Sequence, residues 1–241
     1  MHQGLGRMSS SESQSSIPWV LLFDLDGTLI VFKLRVKESR RALIETLRGL
    51  DFDVSSLSDE MPTQFIYDEV KRQIESGSVD ADFNRVRRIL GNILDDFELE
   101  AFSQAQLTPS IIDVLDRFKS RGYRMGLVTN DGRRAATQVL ETRSLGKFFE
   151  IVVTRDDVER MKPSPEGIQK ALKALDALPG KAIYVGDSAL DIRAAREAGV
   201  LAISLVGGVH SNERLLTAHP DLIVSAPTDL IGALETIEGE A

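Results

Sequence analysis

Two kinds of apolar pattern alternate along the chain. Short continuous apolar runs fall at residues 19–23, 124–128, 150–153, 182–185, 200–206 and 221–224, most of them closed on the C-terminal side by Gly, Asp, Asn or Thr. Runs of this length, rich in Val, Ile and Leu, predict parallel strands buried on both faces. Between the later runs the apolar residues recur at helical spacing. In PSIIDVLDRFKSRG, Ile111, Ile112, Leu115 and Phe118 form one stripe, with Pro109 near its start and Gly122 past its end, the asymmetry expected of a helix. SPEGIQKALKALDAL and SALDIRAAREAG repeat the pattern. Strand and helix in turn, with short connections, predict an α/β fold built on a Rossmann-like, doubly wound parallel sheet.

The alternation breaks once. Residues 31–106 carry no strand pattern, only amphipathic segments such as ESRRALIETLRGL, TQFIYDEVKRQIES and DFNRVRRILGNILDDFELEAF. A stretch this long is not a structureless loop in a compact domain, so an all-helical insert is expected after the first strand. The expected organisation is a disordered tail over residues 1–17, a core from 18–30 and 107–241, and a helical cap from 31–106. No internal repeat is present.

Composition then excludes several classes of function. The 241 residues are 42% hydrophobic with a formal net charge of −8 and no Lys/Arg block, a poor match to a binder of nucleic-acid phosphates. Cysteine is absent, which removes disulfides, thiolate nucleophiles and Cys-ligated zinc. Three histidines, at positions 2, 210 and 219, do not make a His-rich metal site. The Ser-rich start MHQGLGRMSSSESQSS lacks an apolar h-region and is not read as a secretory signal. No run reaches the roughly 18 apolar residues of a spanning helix, so a cytoplasmic location with no membrane partner is expected. No feature of the sequence sets an oligomeric state.

The chemistry sits where the apolar runs end. In open α/β sheets, ligands bind outside the carboxyl ends of the strands, and four polar clusters fall there. Asp24 and Asp26 close the first run, in DLDGT. Thr129 and Asn130 follow RMGLV, Lys162 lies in RMKPSPEG, and Asp187 and Asp191 follow AIYV in GDSALD. Gathering Asp24, Asp26 and Asp187 in one crevice is unfavourable, since two carboxylates about 4 Å apart repel by roughly 4 kcal/mol at an effective dielectric of 20. A hard divalent cation removes that repulsion, and oxygen-only ligation suits Mg²⁺, which completes its shell with water and a substrate phosphate. A carboxylate beside such a phosphate can attack it. A lysine and a hydroxyl can neutralise the phosphoryl oxygens, and a second carboxylate can move the protons.

DLDGTL, TN, KPSPE and GDSALD, in this order from residue 18 to the C-terminus, resemble the motifs of the haloacid dehalogenase-like superfamily of phosphatases and phosphotransferases. The helical insert directly after the first motif is similar to the phosphoglycolate phosphatase and β-phosphoglucomutase branch. The resemblance implies a Mg²⁺-dependent phosphatase acting on a small phosphorylated metabolite through an aspartyl-phosphate. In it Asp24 would be the nucleophile and a metal ligand, and Asp26 the acid/base, lending the metal its backbone carbonyl. Thr129 and Asn130 would hold the phosphate, Lys162 would stabilise charge, and Asp187 would be a metal ligand. Asp191 would orient the site from behind or bind the metal through water, and the insert would cap the leaving group. One departure is that Ile30-Val31-Phe32-Lys33 replaces the acidic or Ser residue that many relatives carry after DGTL.

Each cluster alone has a plainer explanation. Asp26-Gly27 is a common turn pair, residues 129–132 could be a loop leading to a helix N-cap, and a single lysine is most often solvated. Asp187-Ser188 with Asp191 could cap a helix. Four such coincidences at strand ends in the right order outweigh these readings. Arg133 and Arg134 read as a solvent-facing first turn, and Arg85, Arg87 and Arg88 as a charged helix face. His210 and His219 read as structural, and VGGVH as a loop near the rim of the crevice. Among competing functions, a dehalogenase lacks the second aspartate, and a phospho-acceptor signalling domain has neither this spacing nor an insert. A β-phosphoglucomutase-like enzyme uses a cap histidine, absent from residues 31–106. A non-enzymatic phosphate-binding scaffold would not need Asp24 or Lys162.

Overall fold

A computed structural model describes residues 19–32, 34–206 and 217–240. The expected tail, Lys33, His210 and all of the VGGVH loop after Val206 lie outside the described residues. Six strands form one parallel sheet: β1 (Val20–Phe23), β4 (Arg124–Val128), β5 (Ile151–Val153), β6 (Ala182–Gly186), β7 (Leu201–Leu205) and β8 (Leu222–Val224), in the order β5-β4-β1-β6-β7-β8. All six coincide with apolar runs of the sequence. Their side chains alternate between two cores, as a period of two requires. Leu21, Phe23, Met125, Leu127, Ile183, Val185 and Ile203 pack on one face against α4 (Ile111–Ser120), α5 (Arg133–Thr142) and α8 (Asp229–Glu240). Val20, Leu22, Val128, Tyr184 and Ala202 face the other way, toward α6 (Glu166–Ala174) and α7 (Ala189–Glu197). With both faces covered, these six strands are apolar except at Arg124 and Ser204, which is why the runs read as nearly continuous.

Between β1 and β4 the chain leaves the sheet. Three helices, α1 (Val36–Gly49), α2 (Thr63–Glu75) and α3 (Phe83–Ser103), bury Leu43, Leu47, Ile66, Val70, Val86 and Leu90 among themselves. The chain enters and leaves this insert through a short antiparallel ribbon, β2 (Ile30–Val31) with β3 (Gln106–Leu107), in which Ile30 pairs with Leu107 and Val31 with Gln106. The sequence showed no strand at Val31 or Gln106, because a two-residue strand carries no period. Among the described residues no helix is long and apolar enough to cross a membrane.

Register places the site. Phe23 is level with Leu127 of β4 and Val185 of β6. The residues just beyond these strands, Asp24, Thr129 and Asp187, therefore emerge side by side at the carboxyl edge of the sheet. The chain runs from β1 to β4 and β5 on one side, then crosses to β6 on the other. β1 is thus the point where the winding reverses, the place where such sheets open a crevice.

Candidate active site

Lys162 is the centre of the crevice. Its ammonium donates to Asp24 Oδ1 and Asp191 Oδ1, both at 2.6 Å, and lies 2.9 Å from the Tyr184 hydroxyl and 3.2 Å from the Val128 carbonyl. All three charged side chains are buried, Lys162 at 5% exposure and Asp191 at 1%. Burial alone would lower the lysine, but Asp191 and Asp24 hold it well above its ordinary value, so it stays cationic. The Asp24 carboxyl is pushed well above the usual range by burial and by Asp191, against the pull of Lys162. Tyr184 donates to the Val128 carbonyl (2.8 Å) and sits 3.2 Å from Asp191 Oδ1, a brace under the lysine. Asp191 Oδ2 accepts from the Ser188 hydroxyl (2.5 Å) and backbone N–H (3.0 Å), while Ser188 caps α7. The capping reading of this segment thus holds, and the same Asp191 carboxylate also pairs with Lys162.

Asp24, Asp187 and Asp191 can bring carboxylate oxygens within 4.8 Å of one another, the group among the described residues that could hold a metal ion. The donor set is all oxygen, which fits a hard divalent cation such as Mg²⁺. Within this group Asp191 is engaged by Lys162, Tyr184 and Ser188, and Asp24 by Lys162. Asp187 is pressed over Gly27, where an added Cβ would lie 2.1 Å from Asp187 Oδ2, and Gly27 has φ +71°. Gly27→Ala is expected to displace Asp187 and to destabilise the fold by at least about 1–2 kcal/mol through the left-handed backbone alone. A lower urea midpoint with an unchanged slope would check it.

Asp26 is half-buried, and its Oδ1 is sealed from solvent without a hydrogen-bond partner. Burial and the Asp131 carboxyl raise it well above the usual range, as suits a group that carries a proton. Asp26-Gly27 does lie in a turn, closed by the Leu29 N–H (2.9 Å) and the Ile30 N–H (3.1 Å) on the Leu25 carbonyl, so the turn reading is met. Thr129 lines the crevice and donates its hydroxyl to Asp131. Asn130 turns its amide to Lys162, donating to its carbonyl (3.1 Å) and accepting its N–H (2.9 Å). Its side chain thus positions the lysine segment. The crevice is a cavity of about 400 Å³, with Val31, Phe32, Leu34, Val36 and Leu190 as its apolar wall opposite the charged floor.

Arg85, Arg87 and Arg88 do not line this cavity. Arg87 instead donates to the backbone carbonyls of Arg155 (2.8 Å) and Val158. Arg133 reaches the Val152 carbonyl (3.0 Å) and Asp157, and Arg134 pairs with Asp96 at 3.5 Å. His219 contributes its carbonyl to Arg196 (3.0 Å). Asp131, Tyr184 and a buried trio of Arg155, Asp95 and Glu98 were not found by reading the sequence. In the trio, burial pushes Glu98 up to about 7 although Arg155 draws it down.

Residues 21–205 match the family model described as haloacid dehalogenase-like hydrolase. Pyrophosphatase PpaX of Bacillus mycoides (strain KBAB4) is 29% identical over 221 residues, covering 91% of this chain and 98% of that protein. Two crystal structures share the fold. One, named a phosphoglycolate phosphatase, from Haemophilus somnus 129pt, has a TM-score of 0.61 at 20% identity and covers 90% of this chain and 98% of its own. The other, named a β-phosphoglucomutase, from Thermotoga maritima, has a TM-score of 0.60 at 20% identity, with 91% and 99% covered. With its motifs gathered at the carboxyl edge of a doubly wound sheet and the family model spanning most of its length, the chain belongs to the haloacid dehalogenase-like hydrolases, as a phosphatase.

Proposed function

We propose that the chain is a Mg²⁺-dependent phosphatase that transfers the phosphoryl group of a small phosphorylated metabolite to Asp24 and from there to water. The observation that carries this reading is the pairing of Lys162 with Asp24 at 2.6 Å on the floor of a cavity of about 400 Å³. Such a pair holds a nucleophilic carboxylate in place and keeps a cation beside the phosphoryl oxygens it would attack. Asp24, Asp187 and the backbone carbonyl of Asp26 would hold the ion. Bound there, Mg²⁺ would neutralise the incoming phosphate and align it for in-line displacement.

In the first transfer an Asp24 oxygen forms a bond to phosphorus as the ester bond breaks, and Asp26 gives its proton to the leaving oxygen. In the second, Asp26 takes a proton from the water that attacks phosphorus, and the Asp24 carboxylate is released. Thr129 turns its hydroxyl to a phosphoryl oxygen, and Lys162 balances charge throughout. Asn130, assigned to the phosphate by resemblance, serves here through Lys162. Residues 31–106 act as the cap, with the β2–β3 ribbon as its root, excluding water during the first transfer.

The substrate class rests on size and on the relatives' names. The cavity admits a metabolite, its wall is apolar, and the named activities of PpaX and of the Haemophilus protein concern small, highly anionic phosphates. The test is phosphate release from an aryl phosphate, 2-phosphoglycolate, pyrophosphate and sugar phosphates, with Mg²⁺ and with EDTA. Metal-dependent release is expected, strongest on a small dianionic or polyanionic member. A folded protein that releases phosphate from none of them would refute the proposal.

A further inference from the structure

Arg155 follows β5 and is 2% exposed, yet its guanidinium reaches the insert. It donates to Asp95 Oδ1 at 2.6 Å and Glu98 Oε1 at 2.5 Å, both on α3. The same cluster grips the loop after β4 at three consecutive residues. Arg155 Nη1 donates to the Asn130 carbonyl (3.0 Å), the Arg155 N–H donates to the Asp131 carbonyl (2.9 Å), and Glu98 Oε2 accepts from the Gly132 N–H (3.0 Å). The fit is close, since a Cβ on Gly132 would lie 1.9 Å from Asp95 Oδ1. Asn130 then clasps the backbone of Lys162. An unbroken line of hydrogen bonds therefore joins α3 of the insert to the lysine in the crevice.

A buried ion cluster is a poor way to hold a helix down. Replacing one by well-packed apolar side chains is often neutral or stabilising, and α3 already buries Val86, Leu90, Leu94 and Phe102 on the same stripe as Glu98. The backbone N–H of residue 155 holds the Asp131 carbonyl whatever its side chain, but apolar side chains cannot fix the Asn130 carbonyl and the Gly132 N–H in one orientation. We propose that Arg155, Asp95 and Glu98 are positioning residues that couple docking of the insert to the geometry of the 129–132 loop and, through Asn130, to Lys162. The role rests on the phosphatase reading above.

The test separates positioning from packing. The triple variant Arg155→Met, Asp95→Leu, Glu98→Leu removes every charge together and extends the apolar stripe, so α3 stays docked and the melting temperature is held. Its kcat on an aryl phosphate is expected to fall about 10–100-fold at nearly unchanged KM, the scale of an ångström-level misplacement. Amide hydrogen exchange at Gly132 and Lys162 is expected to quicken by about tenfold. Should the triple variant unfold, Arg155→Lys, which keeps the charge but loses the planar fork, is read in its place for the same kcat loss and faster exchange. A folded variant with wild-type kcat, or with wild-type exchange at both amides, would overturn the proposal. Exchange needs no substrate, so a wild-type protein that proves inactive would refute the phosphatase reading and still leave the coupling measurable.

Discussion

Asp24→Asn is expected to lower kcat on every phosphate ester by about 10⁴-fold or more, the scale seen when a nucleophile is removed from a working site. It is also expected to leave the apo protein as stable as the wild type or more so. The reason is the environment of the carboxylate. Burial and the Asp191 charge raise Asp24 well above its ordinary value despite Lys162. An acid raised on folding favours the fold fully below its unfolded pKa, and that benefit disappears as pH rises through the folded value. Neutral pH lies above the unfolded value, so there the wild type carries this linkage penalty, and the neutral amide does not. Lys162 keeps Asp191 at 2.6 Å as its counter-ion. Differential scanning calorimetry with and without Mg²⁺ checks both halves. The wild type should gain in melting temperature with the ion, as any ligand of the folded state requires, and the variant should start as high or higher and gain little. A variant that melts well below the apo wild type would contradict the argument.

Lys162→Met is expected to act in the opposite direction on stability. It strips the shared counter-ion from Asp24 and Asp191, two buried carboxylates. Breaking a buried pair by removing one partner costs about 3–5 kcal/mol. For a chain of this size that corresponds to a fall of roughly 10 °C in melting temperature. Activity should fall by about 10²–10³-fold, the loss typical of removing one preorganised electrostatic group from a transition state. Adding Asp191→Asn to the lysine variant should recover stability but not activity, because it removes the repulsion without restoring a cation at the phosphoryl oxygens. The two substitutions at one ion pair thus separate function from stability, a trade-off expected where a site is held in strained charge balance.

The sheet and its inserted helices were readable because burial on both faces leaves a plain mark. Residues 20–23 and 182–186 are apolar at every position that points into either core, and a stripe at 86, 90, 94 and 102 announces α3. The candidate nucleophile, lysine and paired aspartates were readable because charge at the end of an apolar run is anomalous. The β2–β3 ribbon was not, since two residues show no period. Asp131 was passed over as part of an ordinary loop. Tyr184 looked like any aromatic in a strand, and its hydroxyl matters only because Lys162 comes to it. Glu98 did leave a trace. It occupies the next place in the stripe after Leu94, four residues on, where an apolar side chain belonged.

Local periodicity and the chemistry of strand ends were enough to state which segments are strands, where the chain departs into helices, and which carboxylates and lysine meet at the sheet edge. These are properties of neighbours along the chain, and a parallel sheet brings its strand ends together in any sequence that winds this way. The partners of the buried charges were a different matter. Lys162 finds Asp24 across 138 positions and Arg155 finds Glu98 across 57. The Asn130 amide turned to the Lys162 backbone because that segment lies against it. A buried polar group must be paired, but its partner is whichever group packing brings within hydrogen-bond reach. That choice depends on how α3 lies against the loops after β4 and β5, which no single stretch of sequence contains.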